Sequence, residues 1–252
     1  MAGYNLGTQM NLINDILSTL NLDINIKDVR QGPFQTAVLS RNCGLAMTPH
    51  ESEYRHNTTP VSDAGCLIGK RGLELAQMAQ SSQFFEAAIG MATINSLLGV
   101  DMQSCADING GDLLADKGKD KKVALVGHFP FVPRLRQMAK CLWVIERRPQ
   151  EADIAESEAD SLIPQADVVG ITGSAFINHT IDRLLALCDP KAYIVVLGAT
   201  TPLSTILFDY RVDAISGTIV TDPDMVLRYV GQGATYRQIK GIQLLTMKRE
   251  RR

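Results

Sequence analysis

Val123-Ala124-Leu125-Val126-Gly127-His128-Phe129-Pro130-Phe131 decides the fold: four apolar residues in a row, then a glycine, then a loop. A continuous apolar run of this length fits a strand buried on both faces, the kind found in parallel sheets covered by helices. The run recurs at Leu142-Trp143-Val144-Ile145, Val168-Val169-Gly170-Ile171 and Ile194-Val195-Val196-Leu197, separated each time by a helix-length segment. Val212 to Ser216 supplies a fifth strand and Pro223 to Val230 a last helix. Strands alternating with helices predict an α/β architecture with a doubly wound, mainly parallel, Rossmann-like sheet, for which right-handed crossovers favour the order 2-1-3-4-5.

Upstream the text differs. Ile13, Ile16, Leu17 and Leu20 recur at i, i+3, i+4, i+7 and predict an amphipathic helix over 11–20. Short β-type runs follow at Ile24 to Val29, Thr36 to Ser40 and Gly44 to Met47, broken at Gly32-Pro33 and Arg41-Asn42, and predict a small antiparallel sheet. Helical segments from Leu67 to Ala79 and from Phe84 to Leu98, the second capped by Ser81 or Ser82, complete a smaller α+β domain. Between Asp107 and Lys122 lie Asn109-Gly110-Gly111-Asp112 and Asp116-Lys117-Gly118-Lys119-Asp120-Lys121, read as a charged, glycine-rich stretch unable to pack. The expected division is therefore an α+β domain over 1–114 and the parallel-sheet domain over 121–252.

The chain has 252 residues, 45% hydrophobic and 21% charged, which suits a globular protein and excludes disordered and fibrous classes. Twenty-five basic side chains against 27 acidic ones leave a net charge of -2, so no global field draws the chain to nucleic acid or an anionic membrane. The basic tail Lys248-Arg249-Glu250-Arg251-Arg252 reads as a solvated end. Cys43, Cys66, Cys105, Cys141 and Cys188 are odd in number and scattered, which points to a reducing cytoplasm. Met1-Ala2-Gly3-Tyr4-Asn5 has no basic start, and no run of apolar residues is long enough to span a membrane, so secretion and membrane insertion are not expected.

Several motifs fail on inspection. Gly65-Cys66-Leu67-Ile68-Gly69-Lys70-Arg71 lacks the phosphate-loop spacing and has Arg where Ser or Thr must hold magnesium. Gly231-Gln232-Gly233 follows the last helix and so is no dinucleotide fingerprint, and His50-Glu51 meets Tyr54 where a zinc protease needs its second histidine. The loop from His50 to His56, with Glu51 and Glu53, offers imidazole and carboxylate ligands for a divalent metal or else is a hydrated polar loop.

The carboxyl ends of the predicted strands are richer, and open α/β sheets bind ligands there. Gly127-His128-Phe129-Pro130 follows the first strand, with Phe129 suited to the face of a planar ligand. Glu146 ends the second strand, where nucleotide-binding sheets place the acid that takes a ribose hydroxyl, although beside Arg147 and Arg148 it also fits an exposed ion pair. Thr172, Gly173, Ser174, Asn178 and Thr180 follow the third strand, either as helix caps or as binders of an anion or carbonyl oxygen. Gly198, Thr200, Thr201 and Pro202 repeat that pattern after the fourth, with Pro202 suited to a first helical turn. His128 and His179 both fall on these loops, each a candidate general base or metal ligand.

Gly127-His128-Phe129-Pro130, Ala166-Asp167-Val168-Val169 running into Ile171-Thr172-Gly173-Ser174, Asn178-His179-Thr180 and Gly198-Ala199-Thr200-Thr201-Pro202 resemble the Rossmann-like domain of the heavy-metal-chelation family of uncharacterised prokaryotic proteins. Gly44-Leu45-Ala46-Met47-Thr48 and Glu86-Ala87-Ala88-Ile89-Gly90-Met91-Ala92-Thr93-Ile94-Asn95 are similar to its enolase N-terminal-like partner domain. The resemblance implies a site between the domains, partial similarity to Rossmann-like methyltransferases, and a role in condensing or hydrolysing precursors of flavins, pterins or metal chelators, hence in heavy-metal handling. Glu86, with Met91 and Asn95 on the same helix, is placed to face that site or to serve the core. Two functions from different classes stay open: an enzyme using His128, His179 and Glu86 on a small polar ligand, and a non-catalytic carrier or sensor of a metal or metal chelate. The sequence does not identify the cofactor, for which a transition metal and a nucleotide-like or pterin-like molecule are the candidates, and a homo-oligomer is compatible with either reading.

Overall fold

The computed structural model describes residues 11–49 and 59–249. Helix α1 (Leu12–Thr19) is capped by the Asn11 side chain, which accepts from the Asn14 N–H at 3.1 Å, and it buries Leu12, Ile13 and Ile16. Strands β1 (Asp28–Gln31), β2 (Gln35–Leu39) and β3 (Cys43–Met47) form an antiparallel sheet with Val29 opposite Val38 and Thr36 opposite Ala46. The first strand starts four residues later than its apolar run suggests. Ile24 and Ile26 instead bond to the backbone of 69–72, with Ile26 N–H on the Lys70 carbonyl at 2.9 Å. The Gly65–Arg71 stretch therefore ends in backbone pairing with this segment.

Helix α2 (Gly72–Ala76) leads to α3 (Phe84–Leu97), which buries almost every residue from Glu86 to Leu97. A helix apolar on all sides must be enclosed. It packs on β2 and β3 on one side and reaches the large sheet's layer on the other. Gly44 makes that approach possible: a Cβ there would lie 2.1 Å from the Ala92 carbonyl oxygen.

The chain then enters the large sheet through β4 (Cys105–Ala106) and helix α4 (Gly110–Gly118). The stretch 107–122, expected to stay unpacked, is thus largely helical, and Leu113, Leu114 and Ala115 are buried in one cluster with Val168, Val195 and Leu197 of the large sheet. The apolar triplet outweighs the polar text around it, and Asn109 caps the helix through the Gly111 N–H at 2.8 Å. Next come β5 (Lys122–Val126), α5 (Val132–Met138), β6 (Cys141–Glu146), β7 (Ile154–Ala155) and α6 (Ala159–Leu162). After these follow β8 (Val168–Thr172), α7 (Ser174–Ile177), α8 (Ile181–Leu187), β9 (Tyr193–Leu197) and α9 (Ile206–Asp209). The described chain closes with β10 (Ala214–Val220), α10 (Pro223–Gly231) and β11 (Ile242–Lys248).

The large sheet runs β4-β11-β10-β9-β8-β5-β6-β7. Its five long parallel strands stand in the order β6-β5-β8-β9-β10, which is the 2-1-3-4-5 arrangement that the apolar runs predict. Antiparallel β11 was not foreseen. It pairs along the whole of β10, from Ala214 opposite Lys248 to Val220 opposite Ile242. Helix α10 starts at Pro223, with Asp222 capping the Met225 N–H at 3.0 Å, and packs Val226, Leu227 and Val230 onto Ala37, Cys43 and Leu45 of the small sheet. That sheet therefore lies between α3 and α10. Pro202, expected in a first helical turn, lies in a loop, because α9 begins only at Ile206. Among the described residues no helix is long and apolar enough to cross a membrane.

Candidate functional site

A cleft of about 1250 Å³ opens at the carboxyl ends of the parallel strands. Its floor is built from the loops after β5, β8 and β9, the start of α4 and the end of β6. Gln35, Met47 and Phe84 from the small sheet and α3 form part of its wall. The loops leave their strands at Gly127 (φ +103) and Gly198 (φ +120), where the backbone turns in a region that side chains with a Cβ rarely adopt. Gly173 presses against the next loop: a Cβ on it would lie 2.5 Å from the Thr201 hydroxyl oxygen.

Twelve of the residues singled out above share this one lining: Gly127, His128, Phe129, Pro130, Glu146, Thr172, Gly173, Ser174, Asn178, Thr180, Gly198 and Thr200. Thr201, Pro202, His179 and Glu86 are not among the lining residues. His50 and His56, the loop metal candidates, lie outside the described residues.

The polar lining is partly engaged with the protein itself. The Thr172 and Ser174 hydroxyls sit 3.0 Å apart, and Asn178 Oδ1 accepts from the Thr180 hydroxyl at 2.7 Å. Thr200 Oγ1 accepts from the Met47 N–H at 2.9 Å, tying the loop after β9 to the small sheet while leaving its own proton free to donate. Thr180 is the N-cap of α8 without a capping side-chain bond. The Phe129 ring stacks on Phe131, centroids 5.1 Å apart, so one of its faces is taken by the protein. Phe131 in turn lies over Gly111, where a Cβ would stand 2.5 Å from the ring.

Around His128 two carboxylates converge. Glu146 Oε1 accepts from the His128 backbone N–H at 2.5 Å and Oε2 from the Arg147 N–H at 3.2 Å, so this acid holds the loop's main chain. Asp153, its side chain only 1% exposed, meets His128 Nδ1 at 3.0 and 3.1 Å and accepts from the Gln150 N–H at 3.1 Å. Nothing local in the sequence marks Asp153, which lies 25 residues from its partner. Gln35 was missed as well. It is 5% exposed, lines the cleft, and its Oε1 has no partner among the described residues. The remaining charge is mixed: Arg147 pairs with Glu156 at 3.5 Å and lies over the Phe84 ring at 5.7 Å, while Arg134 pairs with Asp112.

Glu86 and His179 instead form a joint between α3 and the loop ahead of α8. Glu86 accepts from the Ser62 N–H at 2.7 Å and the Ser81 hydroxyl at 2.5 Å, and His179 Nε2 meets the Ser81 carbonyl at 2.8 Å. Burial works to raise the Glu86 carboxyl's pKa, but these two donors outweigh it and hold the group below its ordinary value. Among the described residues no three His, Cys, Asp or Glu side chains group as metal ligands.

Comparison with known proteins adds the family. Residues 110–248 match DUF364 and residues 13–98 match DUF4213, both described as "Putative heavy-metal chelation". The chain belongs to the DUF364 family. An uncharacterized protein of Methanocaldococcus jannaschii is 27% identical over 207 residues, covering 79% of this chain and 78% of its own. A solved DUF364 structure of unknown function from Desulfitobacterium hafniense superposes with a TM-score of 0.79 at 26% identity, over 94% of this chain and 97% of that one. Another from Pyrococcus horikoshii, at 22% identity and a TM-score of 0.80, covers 94% and 98% and shares the fold.

Proposed function

We propose that this DUF364 protein binds a small, polar, largely planar organic molecule in the cleft at the carboxyl ends of its parallel strands. The observation that carries the reading is the convergence of three strand-end loops, with Thr172, Ser174, Asn178 and Thr200 among their polar groups, on one concavity walled by the small sheet. Hydroxyls and an amide on a floor of glycines suit the carbonyl and ring-nitrogen edge of such a molecule. The resemblance of these loops favours flavin, pterin or metal-chelator precursors, condensed or hydrolysed, and the family description supports heavy-metal handling as the wider role. A metal in this reading arrives held by the organic ligand.

Native mass spectrometry of the full chain, purified without chelators, tests it. An organic mass that is lost on denaturation, and that is absent from an Ala199→Trp variant filling the cleft, is the expected result. The same mass persisting in that variant would put the ligand elsewhere. No organic mass, together with no thermal shift from pterin or flavin monomers at millimolar concentration, would overturn the reading.

A further inference from the structure

We propose that His128 is the proton acceptor of the cleft and that Asp153 positions it. The inference rests on the cleft being a ligand site, and it adds what the site does to a ligand carrying a weakly acidic hydroxyl or ring N–H.

The argument starts from the buried carboxylate. Desolvating Asp153 is costly unless hydrogen bonds meet it, and the structure supplies two donors, the Gln150 N–H and the His128 ring. An ionised carboxylate only accepts, so His128 Nδ1 must carry a proton. In the neutral ring Nε2 is then a bare lone pair, and it has no partner among the described residues. The side chain is 34% exposed and lines the cleft.

The surroundings hold this arrangement from both sides. Glu146 fixes the His128 main chain, while Ala152, at φ +70, turns the chain so that Asp153 lies against the ring. A left-handed alanine costs on the order of 1–2 kcal/mol, so the turn that presents Asp153 to the ring is held against strain. A histidine serving only as a surface side chain does not need the buried Asp153 carboxylate against its ring.

The step is a simple proton transfer. The ligand's O–H or N–H bond breaks, the proton bonds to Nε2, and the electron pair stays on the ligand atom. The resulting imidazolium lies between Asp153 and the ligand anion it has made, and no oxidant or other reactant takes part.

Long-range proton–nitrogen spectra of the labelled full chain, with the ring assigned through His128→Gln, read the tautomer directly. Nδ1 protonated and Nε2 bare is the expected result; the opposite tautomer in the wild type overturns the proposal. Diethyl pyrocarbonate, mapped by peptide mass, reads the reactivity of Nε2. His128 should react faster than His179, whose Nε2 is occupied by the Ser81 carbonyl, and Asp153→Asn should slow it severalfold as the tautomer is released and part of the population carries its proton on Nε2. A folded Asp153→Asn chain that keeps both tautomer and rate removes Asp153 from the proposal. Should that variant fail to fold, the wild-type tautomer and the His128-to-His179 rate ratio decide alone, and a ratio of one or less is negative. A metal ion seated on Nε2 after purification without chelators would also overturn it. None of these readouts depends on the co-purified mass, so a cleft that holds a ligand can survive the failure of His128.

Discussion

Glu86 shows what a single carboxylate does away from the cleft. Its pKa is lowered in the folded chain, so by linkage it stabilises the fold fully above its ordinary value near 4.5, and that contribution is lost as pH falls through the lower folded value. Glu86→Gln should therefore cost about 1–2 kcal/mol near neutrality, the size of a hydrogen bond to a charged acceptor, with the gap to wild type closing as pH drops below that window. Urea titrations at a series of pH values measure it, and a gap independent of pH would show that the amide replaces the carboxylate equally well. The residue scale is also where the sequence was least legible. Gly127, Thr172 and Gly198 stand where strand-end position alone puts them, whereas Asp153 and Gln35 gain their meaning only from partners or walls far along the chain. Residue types known to be useful at a site can be recognised in sequence, but a hydrogen bond across 25 residues has no local signature.

Among the elements, β5, β6, β8 and β9 were readable because each is written around an uninterrupted run of four apolar or glycine residues, whereas β10 carries Ser216 and Thr218 and showed itself by its place after the fourth. Helix α4 was not, since Leu113-Leu114-Ala115 is framed by glycines, aspartates and lysines that face solvent or allow close approach. Strand β11 escaped because Gln243 and Thr246 interrupt its apolar residues. The contact between β3 and α3 gives the sharpest test at this scale. Gly44→Ala would set a methyl group 2.1 Å from the Ala92 carbonyl oxygen, a backbone atom that can yield only if the helix moves off the sheet. A loss of about 3 kcal/mol or more in stability is expected by thermal or denaturant unfolding, at the upper end for overpacking. A loss below about 1 kcal/mol would mean that α3 shifts freely on β3.

For the whole molecule, the two sheets share one core. Val38 and Ala46 of the small sheet, Ile89, Met91 and Ile94 of α3, and Val169, Ile171 and Val196 of the large sheet belong to a single buried cluster, and α10 crosses back to cover the small sheet's other face. Unfolding should then be one cooperative event despite the length of the chain. Fluorescence of Trp143, the only tryptophan and a residue of β6, should follow the same denaturation curve as far-ultraviolet circular dichroism. Separated midpoints would show that the halves melt independently. Enclosure of α3 on every side also sets where this protein can change. A variant library meant to retarget the cleft has most freedom in the loop after β5, where His128 and Pro130 meet solvent, because the loop after β9 is buried from Thr200 to Ser204 and a larger side chain between Ala87 and Ile94 presses on the core that the two sheets share. Specificity and foldability thus overlap in the loops after β8 and β9, where Gly173 and Thr200 both line the cleft and hold the packing, and come apart only in the loop after β5.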